Sequence, residues 1–325
     1  MFRKNGEPKH KVAINLLLDG GGMGDLLCYL ITVDYIVKEV KYVDPLIWVP
    51  DYLLEFAKNV LPPEAKVYNY TTASKHYNDK LIGISTRWSS QHTAQASHPT
   101  DYANHVMIDR DLPIEKKNYL RFNNVGIDLT RFNLPEKYIV ISVGSTAKPK
   151  ELSPQLYNQL VEYIVEKGYT PVFLGKSESK LGEGKRISDE FAVVKAKIAE
   201  INYIGGIDLV NKTSLVESAA IISKAKAFVG MDGGLLHLAG FTDTKVIGGY
   251  TFVNPDVMGI VRNNKRNDGV YLVTPEESLA CRYCQTNIPL LYNHDFRFCY
   301  YGEDDYSCKK QLTFDKWKDK IDEAL

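Results

Sequence analysis

Short apolar runs recurring between longer amphipathic stretches constrain this chain more than any other feature. Val12–Leu18 reads as a fully buried strand, and Asp25–Val40 follows with Leu26, Leu27, Leu30, Val33 and Ile36–Val37 at helical spacing. Leu46–Val49 predicts a second strand, and Asp51–Val60 a helix that Pro62-Pro63 cannot continue. The pattern restarts after Phe132–Lys137 with Tyr138–Val143, a near-continuous β-branched run of the kind found in buried parallel strands. Helix over Pro154–Lys167, strand over Pro171–Leu174, helix over Ser214–Ala225 and strand over Ala227–Gly230 come next. A short helix over Leu235–Gly240 and a strand over Lys245–Gly248 complete the series. Strand–helix–strand alternation implies parallel βαβ units.

The expected architecture is α/β, with two Rossmann-like domains and a cleft between them. The N-terminal domain takes residues 1–135 and the C-terminal domain 136–325. Residues 70–111, with His76, His92 and His98, show little periodicity and read as loops and short helices, a ligand-facing type of segment. Thr313–Leu325 reads as a closing amphipathic helix carrying Phe314, Trp317, Ile321 and Leu325.

Charge excludes one broad class of partner surface. The 325 residues hold 40 Lys+Arg and 40 Asp+Glu, and neither half is hiding a surplus. Residues 1–137 carry 17 basic and 16 acidic side chains, which leaves 23 and 24 for the remainder. No domain-scale basic field is present to grip phosphate backbones. A polar N-terminus leads into a seven-residue apolar run and then a Gly-rich loop, so a secretory signal is not expected, and no run approaches a membrane span. The expected location is cytoplasmic.

Three loops carry candidate chemistry. Asp19-Gly-Gly-Gly-Met-Gly-Asp25 joins the first strand to the first helix, where Gly22 and Gly24 would let backbone N–H groups approach an anion. Its spacing is not G-x-G-x-x-G and no acidic residue closes a strand ~20 residues on, which weakens a nicotinamide-oxidoreductase reading. Asp25 suits either stabilisation of the helix start or a general base. Val143-Gly-Ser-Thr-Ala-Lys-Pro-Lys150 places small residues, hydroxyls and lysines after a strand, as a phosphate cradle or a solvated loop would. Asp232-Gly-Gly-Leu-Leu-His237 joins a buried strand to a short helix and sets His237 one turn into it.

Taken in order, these loops resemble glycosyltransferase family 9, the heptosyltransferases acting on lipopolysaccharide, which have the GT-B fold. The resemblance also runs through Phe173–Glu178 and Lys212–Glu217. It implies an inverting, metal-independent transfer of a sugar from a nucleoside-diphosphate donor to an acceptor hydroxyl. Asp25 matches the family's general base, and Lys150 the lysine that neutralises the departing diphosphate. Gly144, Ser145 and the amides of Gly233 and Gly234 match diphosphate contacts, Glu178 a ribose contact, and Asp232 and His237 donor contacts. The chain departs from the family at Ile31 in place of a proline, at Gly233 in place of Ser or Thr, and at Lys150–Pro154, which lacks a Trp. The implied acceptor is a surface glycan. A hydroxylated base in DNA is the alternative acceptor, and a non-catalytic nucleotide-sugar-binding module is the alternative of another class.

Of five cysteines, Cys28 lies in the first helix and reads as a small buried hydrophobe. Cys281, Cys284, Cys299 and Cys308 are concentrated late, and four thiolates there could bind a structural zinc. Two disulfides compete, and His294 could replace one ligand. Arg282 and Arg297 lie beside aromatics in the same segment.

Overall fold

The computed structural model describes residues 12–18, 22–39, 43–69, 81–84, 120–145, 147–177, 198–201, 205–263, 265–287, 299 and 306–325. These belong to two compact units, one ending at Asn123 and one running from Asn124 to Leu325.

In the first unit, β1 (Val12–Leu18), α1 (Met23–Glu39), β2 (Val43–Val49), α2 (Asp51–Val60), β3 (Lys66–Asn69) and β4 (Leu81–Ile84) follow in chain order. The four strands form a parallel sheet in the order β3-β2-β1-β4. Pro45 sits inside β2 opposite Ile14 of β1, ahead of the stretch Leu46–Val49 that pairs with β3, so only one side of β2 carries a ladder at the proline. The buried face of α1 includes Leu26, Leu27, Leu30, Val33 and Ile36, and Cys28 is buried with them. Leu53, Phe56, Ala57 and Val60 line the inner face of α2, where Phe56 stacks on Phe122. The chain leaves α2 at Leu61, just ahead of the two prolines.

Two strands of this unit were not expected, and the first is Lys66–Asn69, which pairs with β2. Leu81–Ile84 pairs with β1 inside the stretch read as loops and short helices; four residues bordered by polar sequence give too short a pattern to stand out. The remainder of 70–111 lies outside the described residues.

The second unit begins with a 3₁₀ turn (Thr130–Phe132) and β5 (Tyr138–Val143), then a 3₁₀ turn (Lys148–Lys150), α3 (Pro154–Glu166), β6 (Thr170–Gly175) and β7 (Ile207–Asp208). It continues with α4 (Leu215–Lys224), β8 (Ala227–Met231), α5 (Gly234–Ala239), β9 (Lys245–Gly249) and α6 (Pro255–Met258). The ribbon β10 (Val261–Arg262) and β11 (Lys265–Arg266), then β12 (Val270–Val273), α7 (Cys284–Asn287), α8 (Ser307–Lys310) and α9 (Phe314–Ala324) close the chain. Six strands form one parallel sheet in the order β12-β9-β8-β5-β6-β7. β5 is its first strand in sequence, and the chain winds outward from it in both directions, so the β5/β8 boundary is the switch point where α/β folds open a crevice at the strands' C-terminal ends.

Local chemistry accounts for the helix ends. Ser153 caps α3 by accepting the N–H of Leu156 at 3.2 Å, and Pro154 takes the first helical position. At the other end Gly168 adopts φ +82°; its N–H reaches Val165 O, and the N–H of Tyr169 reaches Ile164 O. That is a Schellman ending, which a Cβ at Gly168 would strain. The core lies between α3, the sheet and α9, where Trp317 and Ile321 are completely buried one turn apart. β12 escaped notice in the sequence because three of its four residues are only half-buried. No helix among the described residues is long and apolar enough to cross a membrane.

Candidate functional site

The second and third loops meet at the switch point. Lys150 ends the 3₁₀ turn after β5, and Asp232 follows β8 directly. Their side chains form an ion pair at 2.6 Å, with Asp232 only 5% exposed and Lys150 23%. The imidazole Nε2 of His237 stands 3.5 Å from the other carboxylate oxygen of Asp232. The N–H of Asp232 donates to Gly249 O at 2.8 Å, which ties this corner to the end of β9. Burial by itself pushes the Asp232 carboxyl up. The Lys150 charge, together with the hydrogen bond and charge of His237, outweighs it and holds the group well below the usual carboxylate range. One buried anion thus gathers an ammonium and an imidazole at the end of the sheet.

The glycines around this corner do different things. Gly144 leaves β5 at φ +83°, in the left-handed region that favours glycine. Gly233 is extended (φ 172°), and a Cβ there would meet nothing nearer than Met231 O at 3.7 Å, so the fold does not require glycine at 233. Gly249 is required: its Cβ would fall 2.5 Å from the Met231 sulfur and 2.7 Å from Trp317. Gly234 opens α5. Ser145 is occupied locally, accepting the Ala147 N–H at 3.1 Å and bonding the Ala147 carbonyl at 3.3 Å, a turn that shapes the cradle loop.

Within two further segments of the resemblance the described bonds are local. In Lys212–Glu217, Ser214 and Glu217 form a capping box at the start of α4, and Arg131 pairs with Glu217 at 2.7 Å. Lys212 reaches back to Asp208. After β6, Asn211 in the left-handed region fixes the loop by accepting the Ser177 N–H and donating to its hydroxyl. Glu178, next in that loop, lies outside the described residues, as do His294 and Arg297.

Asp25 lies in the first unit, in the first turn of α1. Its Oδ2 accepts the N–H of Gly22 at 2.7 Å, which is the helix-start role anticipated for it, and Gly24 lies within the same turn.

The late cysteines are all free thiols. Burial, followed by the charges of its fellow thiols, pushes Cys284 up to about 11 and Cys308 up to about 12. Among the described residues no group of three or more His, Cys, Asp or Glu is arranged to hold a metal ion. Arg282 belongs to this segment; it stacks on Tyr283 and pairs with Glu277 at 3.6 Å.

Sequence reasoning missed Thr251 and Phe252. The Thr251 hydroxyl donates to Pro149 O at 2.8 Å, and the Lys150 ammonium lies 5.2 Å from the Phe252 ring centroid. The available signal was position: both follow a strand at the sheet's C-terminal edge, where ligand sites in such folds gather.

Comparison with known proteins bears on the fold and the family. No curated protein sequence matches the chain. Among solved structures, the iron-containing dodecameric glycosyltransferase TibC of enterotoxigenic E. coli is similar at TM-score 0.69 and 14% identity, covering 98% of this chain and 77% of its own. TibC has also been solved with ADP-D-β-D-heptose. A family 9 glycosyl transferase of Veillonella parvula reaches 0.67 at 10% identity over 98% of each chain. E. coli ADP-heptose lipopolysaccharide heptosyltransferase II reaches 0.56 at 12% identity, covering 96% of this chain and all of the other. These likenesses show the GT-B fold. The sequence model of glycosyltransferase family 9 (heptosyltransferase) matches residues 90–286, more than half of the chain. The chain belongs to glycosyltransferase family 9.

Proposed function

We propose that this glycosyltransferase moves a sugar from a nucleoside-diphosphate donor, with ADP-heptose the first candidate, to an acceptor hydroxyl on a surface glycan, with inversion and without a catalytic metal. The observation that carries the reading is the Lys150–Asp232–His237 cluster at the switch point of the second unit's sheet. ADP-heptose is the donor bound in the TibC complex, and ADP the ligand in that of E. coli WaaC.

The chemistry balances with these residues. Asp25 takes the proton of the acceptor hydroxyl, the oxygen forms a bond to the anomeric carbon, and the bond from that carbon to the diphosphate breaks. The leaving diphosphate gains negative charge, which Lys150 neutralises in a sparsely hydrated corner where a fixed charge acts strongly. Ser145 and the amides of Gly233 and Gly234 contact the diphosphate, and Glu178 the ribose. His237 and Asp232 orient the donor sugar and phosphates. On this reading the second unit is the donor side and the first the acceptor side.

The test of the donor reading is a panel of nucleoside-diphosphate sugars screened by mass spectrometry for nucleotide release. ADP-heptose is expected to turn over, and Asp25→Asn to abolish transfer while leaving donor binding intact. Silence across the whole panel would favour a non-catalytic binding module.

A further inference from the structure

Lys150 is held from two directions besides Asp232. The carbonyl of Pro149, the residue before it, accepts the Thr251 hydroxyl at 2.8 Å, and Thr251 is 1% exposed, so that bond lies in a dry interior. The next side chain, Phe252, is also buried and presents its ring to the Lys150 ammonium at 5.2 Å from the centroid. One dipeptide therefore fixes both the backbone and the head group of the same lysine. The dipeptide is tethered on its far side too. The Gln285 N–H donates to Phe252 O at 3.0 Å, and the Asn254 N–H to the Thr286 hydroxyl oxygen at 3.0 Å. That hydroxyl in turn donates to Tyr283 O at 3.0 Å.

A ring differs from a second carboxylate in one way that matters here. A carboxylate would orient the ammonium but would repel an incoming diphosphate. The face of a phenyl ring attracts a cation through its quadrupole and carries no net charge to oppose the phosphates. Valine would fill the space of Thr251 and leucine much of the space of Phe252, so packing alone requires neither a hydroxyl nor an aromatic face.

We propose that Thr251 and Phe252 are positioning residues for Lys150: the Thr251 hydroxyl sets the 148–150 turn, and the Phe252 ring aims the ammonium at the donor diphosphate. The proposal rests on the reading of Lys150 as the diphosphate partner. Its test is ADP affinity by isothermal titration, across a double-mutant cycle of Phe252→Leu and Lys150→Met, with Phe252→Tyr, Thr251→Val and Thr251→Ser alongside. Phe252→Leu is expected to weaken ADP binding about three- to thirtyfold, the range of a partly desolvated cation–π contact. Phe252→Tyr is expected to stay near wild type, and Phe252→Leu to add little once Lys150 is already Met. Thr251→Val is expected to weaken ADP, and Thr251→Ser to restore it; this pair carries the test if Phe252→Leu does not fold. A Phe252→Leu effect undiminished in the Lys150→Met background, or equal losses in Leu and Tyr, would reduce Phe252 to packing and overturn the proposal. Weak binding in Lys150→Met with silent Phe252 and Thr251 variants overturns the proposal alone. Undiminished ADP binding by Lys150→Met overturns the reading beneath it as well.

Discussion

Asp232→Asn isolates the charge at the centre of the site while keeping the shape of the side chain. Two unit charges 2.6 Å apart attract by about 6 kcal/mol at an effective dielectric of about 20. Removing a buried carboxylate from water takes several kcal/mol of that back. The pair's Lys150 side chain is 23% exposed, so in the variant its ammonium can turn toward water. The net loss expected is therefore about 1–3 kcal/mol, below the ~3–5 kcal/mol of a fully enclosed pair that loses one partner. Because the folded carboxyl is held below its ordinary value of 3.8, its contribution is fully present above that value and disappears only as pH falls through the lower, folded value. Urea unfolding of wild type and Asp232→Asn should thus show a difference at about pH 5 no smaller than at about pH 7.5, shrinking only below about pH 4. A difference that is already gone by about pH 5 would refute the inference that Lys150 and His237 outweigh burial at this carboxylate.

Gly249→Ala should destabilise by about 1–3 kcal/mol through overpacking against Met231 and Trp317, while Gly233→Ala should stay within about 0.5 kcal/mol, both read by urea denaturation. Trp317→Ala, which empties a fully buried site, should cost about 3–5 kcal/mol by the same measurement. The raised Cys284 and Cys308 thiols should react slowly with iodoacetamide at neutral pH and faster toward about pH 11, and the stability they give, full below their ordinary value of 9.0, should be lost as pH rises through their folded values. Alkylation at neutral pH as fast as a free peptide thiol would contradict that.

The strands of the second sheet were legible because burial on both faces wrote continuous apolar runs, as in Tyr138–Val143, and because Ser153-Pro154 and Gly168 punctuate α3 in plain view. β3, β4, β7 and β12 were not, since two to four half-paired residues at a sheet's edge carry too short a pattern. In the site, Lys150, Asp232 and His237 could be found from Gly-rich turns after strands. Their convergence on one carboxylate could not, because it depends on β5 and β8 lying side by side although 83 residues separate Val143 from Ala227. The same gap hid Thr251, whose hydroxyl meets a carbonyl 102 positions earlier. Lys212–Glu217 shows the opposite limit: a stretch that marks the resemblance serves here to cap a helix and brace it with Arg131.

Turnover of ADP-heptose by wild type and Lys150→Met, followed as release of ADP with folding checked by circular dichroism, tests the central claim most directly. If Lys150 carries the charge of the departing diphosphate, kcat should fall about 10²–10³-fold in the variant, the cost of removing one preorganised stabilising group. Equal kcat in the two proteins would contradict it.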